Sequence, residues 1–286
     1  MITVFTPSYN RKKELENLYI SLLKQKKANF EWLIVDDGSK DETKEYIESL
    51  KKENKITINY IYKANGGKQS AYNLGLKKAK GDIFLCIDSD DILKENILEI
   101  IEKDFDKIND NHEIAGIMYI QGYISDKDKI IGTVFQEDDL IATYYDIYNK
   151  YKVTGDKLII LKTKVAQEYY FPIISGEKFV PEALIFNRIS LKYKFICKNT
   201  IAAYKEYLDT GYSNNYFGLV KKNPQGNSLY FKEAYNMNPS LYNVYGYILF
   251  SLYANKKLKI ILKDHPAKIK IILLYIPTYL ISIIRR

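Results

Sequence analysis

The chain has 286 residues and a mass of 33.4 kDa, enough for one large domain with an appendage and ample to bury a core. Its 47% hydrophobic and 27% charged residues, with only 14 glycines and 7 prolines, exclude a disordered, fibrous or low-complexity chain. The net charge of +8 does not mark a nucleic-acid groove, because residues 255–286 alone carry +7 and the rest of the chain only +1.

The first hundred residues alternate between two periods. Ile2 to Thr6, Trp32 to Asp36, Ile56 to Tyr62 and Ile83 to Ile87 are short apolar runs rich in β-branched and aromatic residues, which predicts buried strands. Between them, Lys12 to Lys26, Asp41 to Lys52 and Gln69 to Lys80 have helical length and apolar spacing. Ser39 with Glu42 three residues on predicts a capping box at the start of the second helix. Such βαβαβαβ alternation demands a parallel sheet with helices on both faces.

From Gly116 the pattern is more mixed. Strands are expected at Ile117 to Tyr123, Ile130 to Phe135, Lys157 to Leu161, Tyr193 to Ile196 and Ile201 to Tyr207. Helices are expected at Asp138 to Tyr148, Thr163 to Tyr170 and Pro181 to Leu191. This reads as the second half of the same domain. After about Asn214 the chain reads as wholly helical, broken at Pro224, Pro239 and Pro266. The expected organisation is therefore a half-domain over 1–110, a second half over 111–214 and a helical extension over 215–286.

Ligands of an open parallel sheet bind beyond the carboxyl ends of its strands. Polar residues collect there: Thr6-Pro7-Ser8-Tyr9-Asn10-Arg11 after the first strand, Asp36-Asp37-Gly38-Ser39 after the second, Asn65-Gly66-Gly67-Lys68 after the third and Asp88-Ser89-Asp90-Asp91 after the fourth. Four clusters on one rim are far more specific than any one of them. Three carboxylates within four residues repel unless a cation offsets them, and oxygen-only donors point to Mg²⁺ or Mn²⁺. The competing reading is an Asp-rich N-cap for a helix near Asn96. The Gly-Gly-Lys turn can present backbone N–H groups and an ammonium to a phosphate, although it matches neither the P-loop nor GxGxxG. A carboxylate at Asp36 or Asp37 can accept a ring N–H, for example from uracil, with Thr6 and Tyr9 flanking the base and Arg11 reaching phosphate. Two cysteines, Cys86 and Cys197, and two histidines, His112 and His265, build neither a disulfide framework nor a zinc site. With an opening MITVFTPSYN that reads as a strand and not as a secretory signal, a cytoplasmic chain is expected.

These clusters, in this order and spacing, together with Ala71-Tyr72-Asn73-Leu74-Gly75-Leu76, resemble the family 2 glycosyltransferases, the inverting, nucleotide-sugar-dependent enzymes of the GT-A fold. The resemblance is strong to about residue 110 and moderate to about 215. Gly176-Glu177-Lys178-Phe179-Val180-Pro181-Glu182, Asn187-Arg188-Ile189 and Tyr207-Leu208-Asp209-Thr210-Gly211-Tyr212-Ser213 look like the subgroup that builds bacterial capsule and cell-wall polysaccharide. The resemblance implies an α/β GT-A fold with a mostly parallel central sheet. It implies a UDP-sugar donor held by Thr6, Pro7, Tyr9, Arg11, Asp36, Asp37, Gly67, Lys68, Asp88 and Ser89, and Mn²⁺ or Mg²⁺ on Asp90 and Asp88. The acceptor it implies is a glycan or lipid-linked glycan. The family's base is a carboxylate roughly ninety residues after the Asp-x-Asp pattern; Glu182, after the helix-opening Pro181, fits, and Glu177 competes with it. The rival readings are a non-catalytic nucleotide-sugar-binding or scaffold protein of the same fold and a nucleotidyltransferase. The latter wants a glycine-rich, arginine-containing loop where Thr6-Pro7-Ser8-Tyr9 stands.

The tail adds a separate expectation. Ile271 to Ile284 is free of charge and flanked by Lys268, Lys270, Arg285 and Arg286. As a helix it spans about 21 Å, short of the bilayer's hydrocarbon core of about 30 Å. It is expected to lie on an anionic membrane surface at the inner face of the plasma membrane, or else to pack as a core helix.

Overall fold

The computed structural model describes residues 1–26, 28–206 and 216–284. In chain order, β1 (Ile2–Ser8), α1 (Lys12–Leu22), β2 (Phe30–Asp36), α2 (Thr43–Glu53), β3 (Thr57–Tyr62), α3 (Lys68–Lys78) and β4 (Ile83–Cys86) form the expected alternation. β1 is buried at all seven positions and β2 at six of seven, as continuous apolar runs covered on both faces must be. β2 pairs with β1 and β3, and β1 with β4, all in parallel. Helix α3 lies close on β1 because Gly75 leaves room for it; a Cβ there would stand 2.2 Å from the Phe5 ring. That contact accounts for the glycine in the 71–76 segment without any appeal to function.

The chain continues with β5 (Ile92–Leu93), α4 (Ile97–Ile108), β6 (Ile114–Tyr123), β7 (Leu140–Ala142), α5 (Tyr144–Asn149), β8 (Lys157–Lys162), α6 (Thr163–Ala166), α7 (Ala183–Ser190) and β9 (Lys194–Lys205). Among the described residues all nine strands belong to one sheet, ordered β3-β2-β1-β4-β8-β6-β9-β5 with β7 beside β9. No boundary falls near residue 110. The second half of the sheet is mixed, not parallel: β8 runs antiparallel to β4 and β6, and β9 antiparallel to β5 and β7.

Several local expectations are corrected. Ser39 does not cap α2. Its hydroxyl accepts the Asn10 N–H at 2.8 Å, and the Thr43 N–H and hydroxyl donate instead to Asp41 Oδ1. Ile130 to Phe135 is no strand; its β-pairing is the isolated bridge Gly122–Ile130, and it is otherwise held to the sheet by the Ile131 N–H on the Gln121 carbonyl and by Asn199 on the Phe135 backbone, with Ile131 and Phe135 buried. The two strands expected at 193–196 and 201–207 are one, β9, which keeps its pairing with β6 through a register shift between Lys198 and Ile201, where the apolar pattern breaks. The helix expected over 138–148 is preceded by β7, because Thr143 stays extended and its hydroxyl accepts the Asp146 N–H.

The chain divides into two compact units. The first comprises the sheet with its helices, residues 1–170 and 188–206. Its core runs from Ile2 and Val4 through Trp32 and Ile34 to Leu85, Ile117 and Ile160. At the amino end of its strands Glu31, 2% exposed, accepts from the Thr3 hydroxyl, the Asn59 amide and the Lys80 N–H at 2.7, 2.7 and 2.8 Å. Glu31→Ala removes the acceptor of all three donors, leaving the Lys80 N–H only a longer contact of 3.2 Å to the Thr3 hydroxyl, and is expected to lower unfolding stability by about 2 kcal/mol. Urea unfolding read by circular dichroism checks this, with nucleotide binding unaffected.

The second unit takes in 171–187 and the helices α8 (Tyr216–Lys222), α9 (Pro224–Met237), α10 (Leu241–Tyr253), α11 (Leu258–Lys263) and α12 (Lys268–Ile284). The segment 171–187, expected with the sheet, thus groups with these helices. Val244, Tyr247, Ile248, Leu252, Ile261 and Ile271 form its core.

Candidate functional site

The carboxyl ends of β1 and β2 lie side by side, Ser8 in register with Asp36. The loops that leave them are laced together. Asn10, at φ +52°, donates its N–H to Ser39, and its side-chain oxygen accepts the Lys40 N–H at 2.8 Å. Asp36 is fully buried and braces the second loop, one oxygen accepting the Ser39 N–H at 2.7 Å and the other the Tyr60 hydroxyl at 2.6 Å. Burial and that contact push the Tyr60 hydroxyl's pKa up.

Asp37 ties the second loop to the third. Its carboxylate accepts the N–H groups of Gly66 and Gly67 at 2.9 and 2.7 Å and the Lys63 ammonium. Its carbonyl accepts from the Asn65 amide. Gly67 opens α3 at φ +90°, which L side chains rarely adopt. The two backbone donors expected to meet a phosphate are therefore held by Asp37 here. A carboxylate has about four acceptor positions, and the contacts described use three.

The fourth loop carries the charge. Asp88 Oδ1 pairs with Lys68 at 2.6 Å, and its other oxygen faces Lys205 at 3.7 Å. Burial works against the ionised form of Asp88, but the two ammonium groups outweigh it and hold the carboxyl at about 2. Asp90 has its pKa raised, first by burial and then by Asp88. Asp91 is 3% exposed, and burial raises its pKa well above the ordinary carboxylate value despite Lys205. Its Oδ1 has no hydrogen-bond partner among the described residues. Ser89 is buried between them.

Lys205 and Lys63 are what sequence reasoning missed. Burial alone would lower the Lys205 pKa, but Asp91, Asp88 and Asp156 outweigh it and raise it. It reaches the cluster because β9 runs antiparallel to β5 with Ile92 opposite Tyr204, so the next residue of β9 falls beside Asp91. A lysine ending an apolar run was the visible signal; the register that gives it meaning was not.

The remaining expected residues are placed as follows. Thr6 is wholly buried, its hydroxyl accepting the Trp32 indole N–H at 3.0 Å, and Pro7 is buried beside it in β1. Tyr9 is 46% exposed on the rim. Arg11 pairs with Glu14 at 2.9 Å and lies close enough to Asp90 to favour its ionised form. Glu182 belongs to the second unit, exposed and directly before α7, with its carbonyl accepting the Ile185 N–H. Glu177 is occupied structurally, since its two oxygens accept the Gln225 and Gly226 N–H groups at 2.6 and 2.8 Å and so close the N-terminus of α9. The expected segment 207–213 lies outside the described residues.

Among the described residues, no three His, Cys, Asp or Glu side chains converge as a ready metal cage. Mg²⁺-type ions at nucleotide sites need only one or two carboxylates, with phosphates and water completing the shell. The unpartnered Asp91 oxygen and the raised pKa of Asp90 mark an acidic turn that Lys68 and Lys205 leave under-neutralised. That donor chemistry fits such an ion.

Residues 3–165 match the family described as "Glycosyl transferase family 2". Among curated relatives, glycosyltransferase GlyG of Streptococcus pneumoniae is 30% identical over 56% of this chain and 46% of its own length. The poly(ribitol-phosphate) beta-N-acetylglucosaminyltransferase TarS of Staphylococcus aureus is 33% identical over 34% of this chain and 17% of its own. The matched stretch thus spans less than half of either relative. Among solved structures, S. aureus TarS 1–349 in complex with UDP-GlcNAc superposes with TM-score 0.61 at 19% identity, over 96% of this chain and 89% of that one. A mannosyltransferase from Pyrobaculum calidifontis in complex with GDP-Man and Mn²⁺ gives 0.57 at 15% identity, over 98% and 79%. At these identities the likeness establishes the GT-A fold.

Proposed function

Since the chain belongs to glycosyl transferase family 2, we propose that it moves a sugar from a UDP-sugar to a hydroxyl of a growing glycan or lipid-linked acceptor in bacterial surface polysaccharide synthesis, with inversion at the anomeric carbon. The observation that carries this reading is the lacing of four strand-end loops into one rim, Asn10 to Ser39, Asp37 to Gly66 and Gly67, and Lys68 to Asp88. The UDP and UDP-GlcNAc complexes of TarS, which share the fold, support the donor class.

In this proposal the open acceptor position of Asp37 takes the uracil ring N–H, Tyr9 covers the base, and the carboxyl end of β1, with Thr6 and Pro7, forms the floor under it. Asp36 acts on the ligand through the loop that it braces. Asp88 and Ser89 line the ribose and diphosphate side. Asp90 and Asp88 would hold a divalent cation, which when bound would supply positive charge on the side of the departing diphosphate. Lys68, at the N-terminus of α3, and Arg11 face the same developing negative charge. Glu182 takes the proton of the acceptor hydroxyl as its oxygen bonds to the anomeric carbon and the bond to the UDP oxygen breaks from the opposite side. One displacement needs one base and no covalent intermediate.

A panel of UDP-, GDP- and dTDP-sugars tests this. With Mn²⁺ present and acceptor absent, slow UDP release from one or more UDP-sugars is expected. Release confined to GDP- or dTDP-sugars would contradict the donor assignment.

A further inference from the structure

Helix α12 packs inward through Ile271, Leu274 and Tyr275 but turns its most continuous apolar face outward. Its exposed face carries Ile269, Ile272, Leu273, Ile276, Leu280 and Ile283, each 51 to 76% exposed. Spacings of three and four residues gather them into one stripe with no charged group on it. The buried side holds Ile271, Thr278 and Ser282, the last two each 1% exposed. Their hydroxyls donate to backbone carbonyls of the same helix, Thr278 to Leu274 and Ser282 to Tyr279, both at 2.7 Å. A helix of a water-facing surface does the reverse, and a continuous exposed apolar stripe marks a surface that is covered in use.

We infer that this stripe docks on an anionic lipid surface, with α12 lying in the plane of the interface. The surrounding charge selects that occupant. Lys257, Lys259 and Lys263 are exposed on α11 and the turn before it, and Lys268 at the start of α12, while Asp264, the sole acid from 255 to 286, is partly buried. A second copy of the same surface would set lysines against lysines, whereas acidic headgroups neutralise them while the acyl boundary takes the stripe. With 17 residues, α12 is about 26 Å long, against a hydrocarbon core of about 30 Å. No helix among the described residues is long and apolar enough to cross a membrane. Tyr279, 46% exposed at the edge of the stripe, suits the headgroup boundary. None of this depends on the nucleotide site.

The test is co-sedimentation of the full chain with phosphatidylcholine vesicles with and without phosphatidylglycerol, at low salt. Binding is expected only where phosphatidylglycerol is present. The combined Ile272→Gln, Leu273→Gln, Ile276→Gln and Leu280→Gln variant should lose at least about 10² in partitioning. The combined Lys257→Glu, Lys259→Glu and Lys263→Glu variant should lose a similar factor, about fivefold for each lysine neutralised and more on reversal. Both should keep the wild-type melting temperature and UDP affinity. Three results would each overturn the inference: a full chain that ignores the anionic vesicles, a glutamine variant that binds them unchanged, or one that melts lower because the stripe is a packing surface. Sedimentation velocity showing a dimer that the glutamine variant dissociates, without vesicle binding, would assign the stripe to a second copy instead.

Discussion

Glu182→Gln is expected to lower kcat by about 10² or more while leaving the affinity for the UDP-sugar unchanged. The amide keeps the size and hydrogen-bonding capacity of the side chain and removes only its ability to take a proton from the acceptor hydroxyl. Glu177→Gln is the informative control, because the two residues are five apart and Glu177 already has a structural role. Glu177 holds the Gln225 and Gly226 N–H groups at the start of α9, so its neutralisation costs stability at a helix N-terminus, about 1 kcal/mol, and leaves kcat of the folded protein near wild type. Steady-state kinetics with a thermal melt on each variant reads both effects. A dead Glu177→Gln with a wild-type melting curve, beside an active Glu182→Gln, would transfer the base to Glu177.

Asp90→Ala is expected to abolish the gain in UDP affinity that Mn²⁺ confers, and with it turnover, by about 10² or more. Wild-type protein in EDTA should behave in the same way. The reason is electrostatic. Asp88 already has Lys68 and Lys205 to balance it, whereas Asp90 is left with a raised pKa by burial and by Asp88. A cation held at that turn by Asp90 and Asp88 would therefore relieve a repulsion that the protein alone does not. Asp90→Ala with undiminished Mn²⁺-dependent affinity would move the cation to the Asp88 and Asp91 carboxylates.

The parallel half of the sheet was legible because β1 and β2 are buried on both faces and so write themselves as unbroken apolar runs. The four loop clusters were legible for the same reason: where such a run ends in Asp36-Asp37 or Asp88-Ser89-Asp90-Asp91, the carboxylates have no packing role to explain them. Contacts that depend on pairing between distant strands were hidden. Lys205 gains its meaning only from the register of β9 on β5, and Lys63 only from the turn that brings its ammonium to Asp37. Local rules also misled where a tertiary partner competed. Ser39 has the spacing of a capping box, but its hydroxyl accepts the Asn10 N–H and joins two rim loops. Thr6 reads as a contact for a base, yet its hydroxyl lies beneath the strand on the Trp32 indole. The apolar tail was visible as composition, and only the helix showed which side of it faces outward.

The fold by itself does not select the base of the nucleotide, since its relatives in solved structures carry UDP-GlcNAc in one case and GDP-Man with Mn²⁺ in another. Calorimetric titration of UDP and GDP into the full chain with Mn²⁺, repeated with Asp37→Ala, therefore decides whether the laced rim is a uridine site. UDP is expected to bind and GDP to bind at least about tenfold more weakly. Asp37→Ala, which removes the proposed acceptor for the uracil N–H together with the anchor of Gly66 and Gly67, is expected to abolish the preference. Equal affinities of the wild-type chain for the two nucleotides, or a UDP preference that survives in Asp37→Ala, would show that Asp37 and its loops do not read the base.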